Sequence, residues 1–361
     1  MSAIDALSEE IMKRLNRPNN TFIPLIVRRL VPTEEEAKVI LELPQSSEEI
    51  ANKLNISKDR VDEIIQEKFE MGIVYPTRHG WQLLRSWAQF RESTLGMEPK
   101  YDNKVGKEFF ILQRAWNEIE EYPRMVQKYI ELKVKAQRCI PDWQAIKDNP
   151  DRITAEYLPD ILDRASKLEG MGNITAVNCP CKRMVGDEYK GNIKVCLQMG
   201  RSADYSLKRG TGKKLTVKEA LQLLKEEEDR GAVHLSAGNI KNIPTGVFWM
   251  ICNCYRDSCD MMDAALKAGL PVNTICAPSR YRAVVDIDKC KACQTCMERC
   301  NFSAIKLKQY PGIIEWKSWT DPDLCMGCGS CTLSCPTGAR TLQVVRPSDF
   351  IPDESDLDFS F

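Results

Sequence analysis

Histidine is nearly absent from this sequence: His79 and His234 are the only two in 361 residues. Metal chemistry in such a chain falls to thiolates, and sixteen cysteines are present to supply them. Net charge is also lacking, since Lys plus Arg equals Asp plus Glu at 51 each, and this removes the electrostatic basis for binding nucleic acid. No apolar run approaches the roughly 20 residues that span a bilayer. The longest clear one is 247–252, so no direct membrane insertion is expected, and any membrane association would come through a partner. The start of the chain does not read as a signal peptide, and so many cysteines without one suggest a reducing, anaerobic cytoplasm.

Three cofactor signatures are missing as well: a complete dinucleotide fingerprint, a phosphate loop and a C-x3-C-x2-C radical triad. The segment 209–214 contains Gly-Thr-Gly-Lys-Lys but fails as a phosphate loop. That motif needs glycine where Leu207 stands and a hydroxyl residue where Lys214 stands. It reads as a basic turn before a helix that begins near Thr216.

What is present is a doubled motif. Cys290, Cys293, Cys296 and Cys300 are followed by Cys325, Cys328, Cys331 and Cys335, so C-x2-C-x2-C-x3-C occurs twice. Three thiolates at this interval can wrap one face of an iron-sulfur cubane, with the fourth directed to a second cluster. Zinc sites also use C-x2-C but rarely add a third cysteine at the same interval, and a disulfide framework suits a short secreted chain. Over residues 282–346 the stretch resembles a bacterial-type ferredoxin domain with two [4Fe-4S] clusters. That resemblance implies that Cys290, Cys293, Cys296 and Cys335 hold one cluster and Cys325, Cys328, Cys331 and Cys300 the other. A strand from Arg282 to Ile287 is expected to pair with Thr341–Val345. A hairpin is expected from Ala304–Leu307 and Ile313–Trp316 around Tyr310-Pro-Gly.

The two motifs differ in their loops. Gly327 and Gly329 allow backbone N–H groups close to cluster sulfur, whereas the first loop carries Lys291, Ala292, Gln294 and Thr295. Asn301 stands where Pro336 follows the second motif. Unequal potentials are expected, with Lys291 raising the one beside it. A cubane of charge +2 held by four thiolates carries about −2, so two or three would make the holoprotein anionic.

The middle of the chain holds six more grouped cysteines. Ile174–Val177 reads as a strand running into Cys179-Pro180-Cys181, and Phe248–Ile251 as another running into Cys252-Asn253-Cys254. Cys196 is expected in a loop, and Cys259 before a helix from Met261 to Ala268. Helices near 203–208 and 217–229 and a strand near 232–235 complete the segment. Four of the six thiolates suffice for a third [4Fe-4S] cluster, with zinc or reduced structural thiols as the alternatives. The region resembles iron-sulfur subunits of anaerobic bacteria and archaea that join a C-x-C, a further cysteine and an ICNC stretch to a terminal dicluster ferredoxin. Relatives often carry a denser cysteine run after ICNC, where this chain has Tyr255, Asp257 and Ser258. His234 reads as a core residue, or alternatively as a ligand or a donor to cluster sulfur. Cys139 and Cys276 read as unliganded.

Toward the start, Ser8–Leu15 reads as a helix. Helices then open at Thr33, Ser47 and Ser57, and the strands Ile73–Tyr75 and Trp81–Leu84 follow. This looks like a winged-helix module with His79 on its wing. Residues 33–95 hold eight basic and twelve acidic residues, so docking is expected rather than DNA binding. From Phe110 through Leu112, Trp116, Ile119, Tyr122, Met125 and Tyr129 to Leu132, apolar positions predict one or two long helices whose stripe reads as core or an interdomain face. The segment 347–361 reads as an acidic tail.

The expected fold class is α+β: a winged-helix-like module (1–95), a helical connector (96–165), a small α/β cysteine-rich domain (166–280) and a ferredoxin-like dicluster domain (281–346), then the tail. The expected function is that of an electron-transfer subunit of an anaerobic oxidoreductase. Its partners would be other subunits, a flavoprotein or a substrate-reducing subunit, in a hetero-oligomer without nucleic acid. The alternatives are an enzyme binding substrate at an open middle cluster and a redox-sensing regulator, the latter disfavoured by its acidic third helix.

Overall fold

Helix starts encoded in the sequence appear as capping boxes, in which a hydroxyl accepts an N–H three residues on and a glutamate returns the bond. Thr33 with Glu36, Ser46 with Glu49, and Thr216 with Glu219 all do this. Ser46, one residue earlier than expected, is therefore the cap of the second of these helices. The computed structural model describes residues 1–170, 172–186, 189–237 and 250–351. Helix content is 48% and strand content 16%, which fits α+β. The acidic tail beyond Ile351 and the predicted strand start at Phe248 lie outside the described residues.

The described chain forms two units. The first comprises 1–121, 178–193 and 208–211. Its helices are α1 (Ala3–Arg14), α2 (Phe22–Leu30), α3 (Glu34–Leu41), α4 (Ser47–Leu54) and α5 (Lys58–Met71), followed by the hairpin β1 (Val74–Thr77) and β2 (Gly80–Leu83). Then come α6 (Asp102–Val105) and α7 (Lys107–Trp116), and later α11 (Pro180–Val185). Lys68 is fully buried on α5, where its ammonium meets Glu36 at 2.9 Å and the Leu30 carbonyl at 3.1 Å. The other cations of α5 are held in place too, Arg60 by Glu35 and Glu63, and Lys58 by Asp62.

The second unit comprises 122–177, 194–207 and 212–361. It contributes α8 (Tyr122–Leu132), β3 (Gln137–Ile140), α9 (Trp143–Ile146), α10 (Leu158–Ser166), β4 (Ile174–Asn178), β5 (Lys194–Met199) and α12 (Gly200–Lys208). β6 (Lys213–Leu215), α13 (Val217–Arg230), β7 (Val233–Ala237), β8 (Met250–Cys254), α14 (Asp260–Lys267) and β9 (Cys276–Ala277) follow. A seven-stranded sheet runs in the order β6-β4-β5-β8-β7-β3-β9. Its pairs β4–β6, β5–β8, β8–β7 and β7–β3 are antiparallel and β3–β9 is parallel. Leu158, Ile161 and Leu162 of α10 and Leu224 of α13 pack with Ile174, Leu197 and Ile251 of the sheet as its core.

The stripe over 110–132, expected as core or an interdomain face, is buried only in part. Trp116 and Tyr122 are buried, but Ile119 is 66% and Leu132 58% exposed. A π-helical turn at Asn117–Glu121 inserts an extra residue and rotates the apolar face away from its 3.6-residue register.

Candidate iron-sulfur centres

In the last part of the chain, β10 (Tyr281–Val285) pairs with β13 (Arg340–Val344), and β11 (Ile305–Lys308) with β12 (Lys317–Thr320). The second hairpin strand begins after Trp316 rather than at Ile313. Ile314 is 88% exposed, so 313–316 belongs to the turn. One-turn helices α15 (Thr295–Glu298) and α16 (Ser330–Leu333) follow the two cysteine loops.

The sequence repeat is also a hydrogen-bond repeat. Asp286 N–H donates to the Ala339 carbonyl and Asp321 N–H to the Ala304 carbonyl, each at 2.7 Å. Cys290 N–H then donates to Asp286 O and Cys325 N–H to Asp321 O, each at 3.1 Å. Left-handed backbone recurs as well, at Ala292 and Gln294 (φ 53° and 66°) in the first loop and at Gly327 and Gly329 (69° and 97°) in the second. A Cβ on Gly327 would collide with the Tyr281 carbonyl, and one on Gly329 would lie 2.9 Å from the Ala145 methyl. The glycines are thus required by tight packing as well as by backbone angle.

These elements bring the eight cysteines to two cavities. Cys290, Cys293, Cys296 and Cys335 line one, and Cys300, Cys325, Cys328 and Cys331 line the other. The fourth cysteine of each motif therefore joins the first three of the other. Four thiols around one cavity are the donor set of a cubane cluster, so the residues fit that group.

The two surroundings differ in kind. The first cavity is walled partly by Ser318, Thr337 and Arg340, the second by Arg299 and by the apolar Ala283, Phe302 and Ile305. Burial opposes ionisation of Cys290, yet the N–H groups of Ser318 and Ala292, the Ser318 hydroxyl and the Lys317 ammonium outweigh it and lower the thiol's pKa. Cys335 is likewise lowered: against burial stand the Thr337 hydroxyl and the N–H groups of Thr337, Arg340 and Ala339. In the second cavity burial dominates, raising Cys300, raising Cys328 strongly and pushing Cys331 up to about 12. Thiols this reluctant to ionise become thiolates only with a cation to share them. Lys317, whose ammonium donates to the Cys290 carbonyl at 3.0 Å, is a cation that sequence reasoning missed in favour of Lys291.

The six middle cysteines divide between the units. Cys179 and Cys181 belong to the first, where Cys179 caps α11 and Arg91 Nη2 donates to Cys181 Sγ at 3.4 Å. Cys196, Cys252, Cys254 and Cys259 belong to the second. Cys196 lies in strand β5 and not in a loop, because Val195 to Leu197 are buried on a central strand. Cys252 and Cys254 lie within β8 itself, two residues apart and so on one face. Cys259 caps α14. The Cys254 thiol is raised well above its ordinary value by the hydrogen bonds it donates to the Cys252 and Cys259 sulfurs and by burial, so these three converge. Cys196 lies on β5 next to Leu197, which pairs with Ile251 of β8.

His234 is fully buried on β7 opposite Asn253, with Nδ1 2.6 Å from the Asn253 amide oxygen. It is a core residue bonded to the asparagine between Cys252 and Cys254. Cys139 on β3 and Cys276 on β9 are buried thiols whose pKa values burial raises, that of Cys276 to about 12. Asn301 has a role beyond replacing proline. Its amide donates to the Gly231 carbonyl at 2.9 Å and accepts the Arg256 N–H at 2.8 Å.

Among the described residues no helix is long and apolar enough to cross a membrane. No curated protein and no solved structure shows significant similarity to this chain. Residues 289–340 match the family model of the 4Fe-4S dicluster domain, the stretch that holds both cavities and all eight of their cysteines.

Proposed function

We propose that this chain is an iron-sulfur electron-transfer subunit of an anaerobic oxidoreductase. The 4Fe-4S dicluster match supports iron-sulfur binding and electron transfer. In this reading Cys290, Cys293, Cys296 and Cys335 hold one [4Fe-4S] cluster, and Cys300, Cys325, Cys328 and Cys331 a second. The observation that carries it is the division of the eight thiols, four to each cavity. Such clusters, when bound, exchange single electrons at potentials set by charge, exposure and hydrogen bonds to sulfur. The chain's own part is to supply donors at the first cavity and to exclude water from the second.

A third cluster is proposed on four of the six middle cysteines, with Cys252, Cys254 and Cys259 as its core and Cys196 as the remaining one of the six on the same sheet. The winged-helix-like start is proposed as a docking module for another subunit, a flavoprotein or a substrate-reducing partner, because the cations of α5 are already spent on internal ion pairs. A second reading rests on the convergence of Cys252, Cys254 and Cys259, since a cluster held by three thiolates keeps one position open to substrate.

Anaerobic purification with bound partners, followed by iron and sulfide analysis, tests both readings. About twelve irons per chain are expected, about eight would remove the third cluster, and a zinc-only protein would overturn the proposal. A small ligand that perturbs one cluster's spectrum would favour the second reading.

A further inference from the structure

We propose that Asp142, Glu228 and His234 form a binding site for one divalent transition-metal ion, distinct from every cysteine centre. Asp142 follows β3, Glu228 lies in the last turn of α13 and His234 is on β7, and all three are buried. Their ligand atoms lie within 4.8 Å of one another.

Asn253 Nδ2 donates to the Val195 carbonyl at 2.5 Å, so its Oδ1 faces His234 Nδ1 at 2.6 Å. An amide oxygen only accepts, which puts a proton on Nδ1. The lone pair of Nε2 then points at Glu228 Oε1, 3.2 Å away, and at Asp142 Oδ1, 3.8 Å away. Three electron-rich atoms so placed need positive charge among them.

Glu228 is otherwise satisfied, accepting from Trp143 N–H at 3.0 Å and from Gln144 Nε2 at 2.6 Å. Asp142 is not: neither carboxylate oxygen has a hydrogen-bond partner, although the side chain is 0% exposed. A protonated imidazole would pair with Glu228 yet stay beyond hydrogen-bond reach of Asp142. A proton on Asp142 itself would leave a buried hydroxyl with no acceptor. A divalent ion resolves both problems, because the two carboxylates neutralise it and it gives the Asp142 carboxylate a partner.

Metal-to-ligand distances of about 2.0–2.2 Å place tetrahedral ligands about 3.3–3.6 Å apart, a range that the observed 3.2 and 3.8 Å bracket. One imidazole and two carboxylates suit Mn2+ or Zn2+ rather than a soft ion such as Cu+. The Nδ1–H bond to an amide oxygen is the outer contact that orients a metal-bound imidazole. Asp142 N–H also donates to the Cys328 carbonyl at 2.7 Å, so the ion would clamp β3, α13 and β7 beside the second cavity.

The test uses the full chain with its iron and sulfide intact, stripped with EDTA, equilibrated with Zn2+ or Mn2+, gel-filtered and assayed by mass spectrometry. The wild type should retain about one equivalent, and Asp142→Asn and His234→Gln about tenfold less or lower, with iron and sulfide unchanged. A Cys252→Ser/Cys254→Ser variant should keep the added ion. Retention of less than about a tenth of an equivalent by the wild type overturns the proposal, as does full retention by folded Asp142→Asn. The wild-type measurement decides even where a variant fails to fold. It is read separately from the iron count, so failure here leaves the cluster reading untouched.

Discussion

Equivalent positions in the two cysteine loops adopt the same left-handed backbone but meet different demands. Ala292 and Gln294 bear the cost of positive φ that Gly327 and Gly329 avoid, about 1 kcal/mol for a residue with a Cβ. Ala292→Gly is therefore expected to be neutral or to stabilise by about 0.5 kcal/mol, the strain relief partly offset by unfolded-state entropy. Gly327→Ala should destabilise by about 3 kcal/mol or more, because its methyl meets the Tyr281 carbonyl. Anaerobic denaturant unfolding of both variants checks the opposite signs. Charge can be tested in the same loops. Replacing Lys317, close to Cys290, with methionine should lower one midpoint by on the order of 50 mV, for roughly 1 kcal/mol of lost interaction. Lys291→Ala, at an exposed position, should shift it less, and equal shifts in a redox titration would contradict this.

At the level of elements, one asparagine joins the dicluster segment to the sheet. Asn301 ties the end of α15 to Gly231 after α13 and to Arg256 after β8, two residues beyond Cys254. Asn301→Ala removes both bonds and is expected to cost about 1–3 kcal/mol, measured as a lower unfolding midpoint with unchanged iron content. Asn301→Pro should cost at least as much, since proline restores the second motif's residue without either bond. The π-turn at 117–121 acts at the same scale. It gives a stretch of apolar residues two faces where straight helical periodicity permits one, and so leaves Ile119 exposed.

For the whole molecule, two kinds of cavity wall imply two kinds of redox site. The polar first cavity should titrate at a higher potential than the apolar second, because donors and cations stabilise the added electron. A single shared midpoint in an anaerobic titration would contradict that order. The partners that supply and remove electrons are proposed from the same logic, since the chain lacks a motif for a two-electron carrier.

Much of this was legible in residue order because it depends on local chemistry. Capping boxes and the cysteine spacing within each motif are contained in a few neighbouring residues, whereas the β10–β13 pairing joins distant segments and was expected as part of the ferredoxin-like layout; the structure carries all three. Other long-range contacts were not legible. No spacing rule connects Asp142 to His234 or assigns Cys179 and Cys252 to different units, because these depend on which strands pair and which segments pack. The π-turn escaped for the opposite reason: a 3.6-residue periodicity carries no mark of an inserted residue. Residue order alone therefore determined which thiols belong to the doubled motif. Tertiary structure brought the quartets implied by the ferredoxin resemblance to two cavities, and it decided which cations stand beside them and where a buried carboxylate is left without a partner. Side-chain identity sets the donors, but only folding removes the water that would otherwise satisfy them.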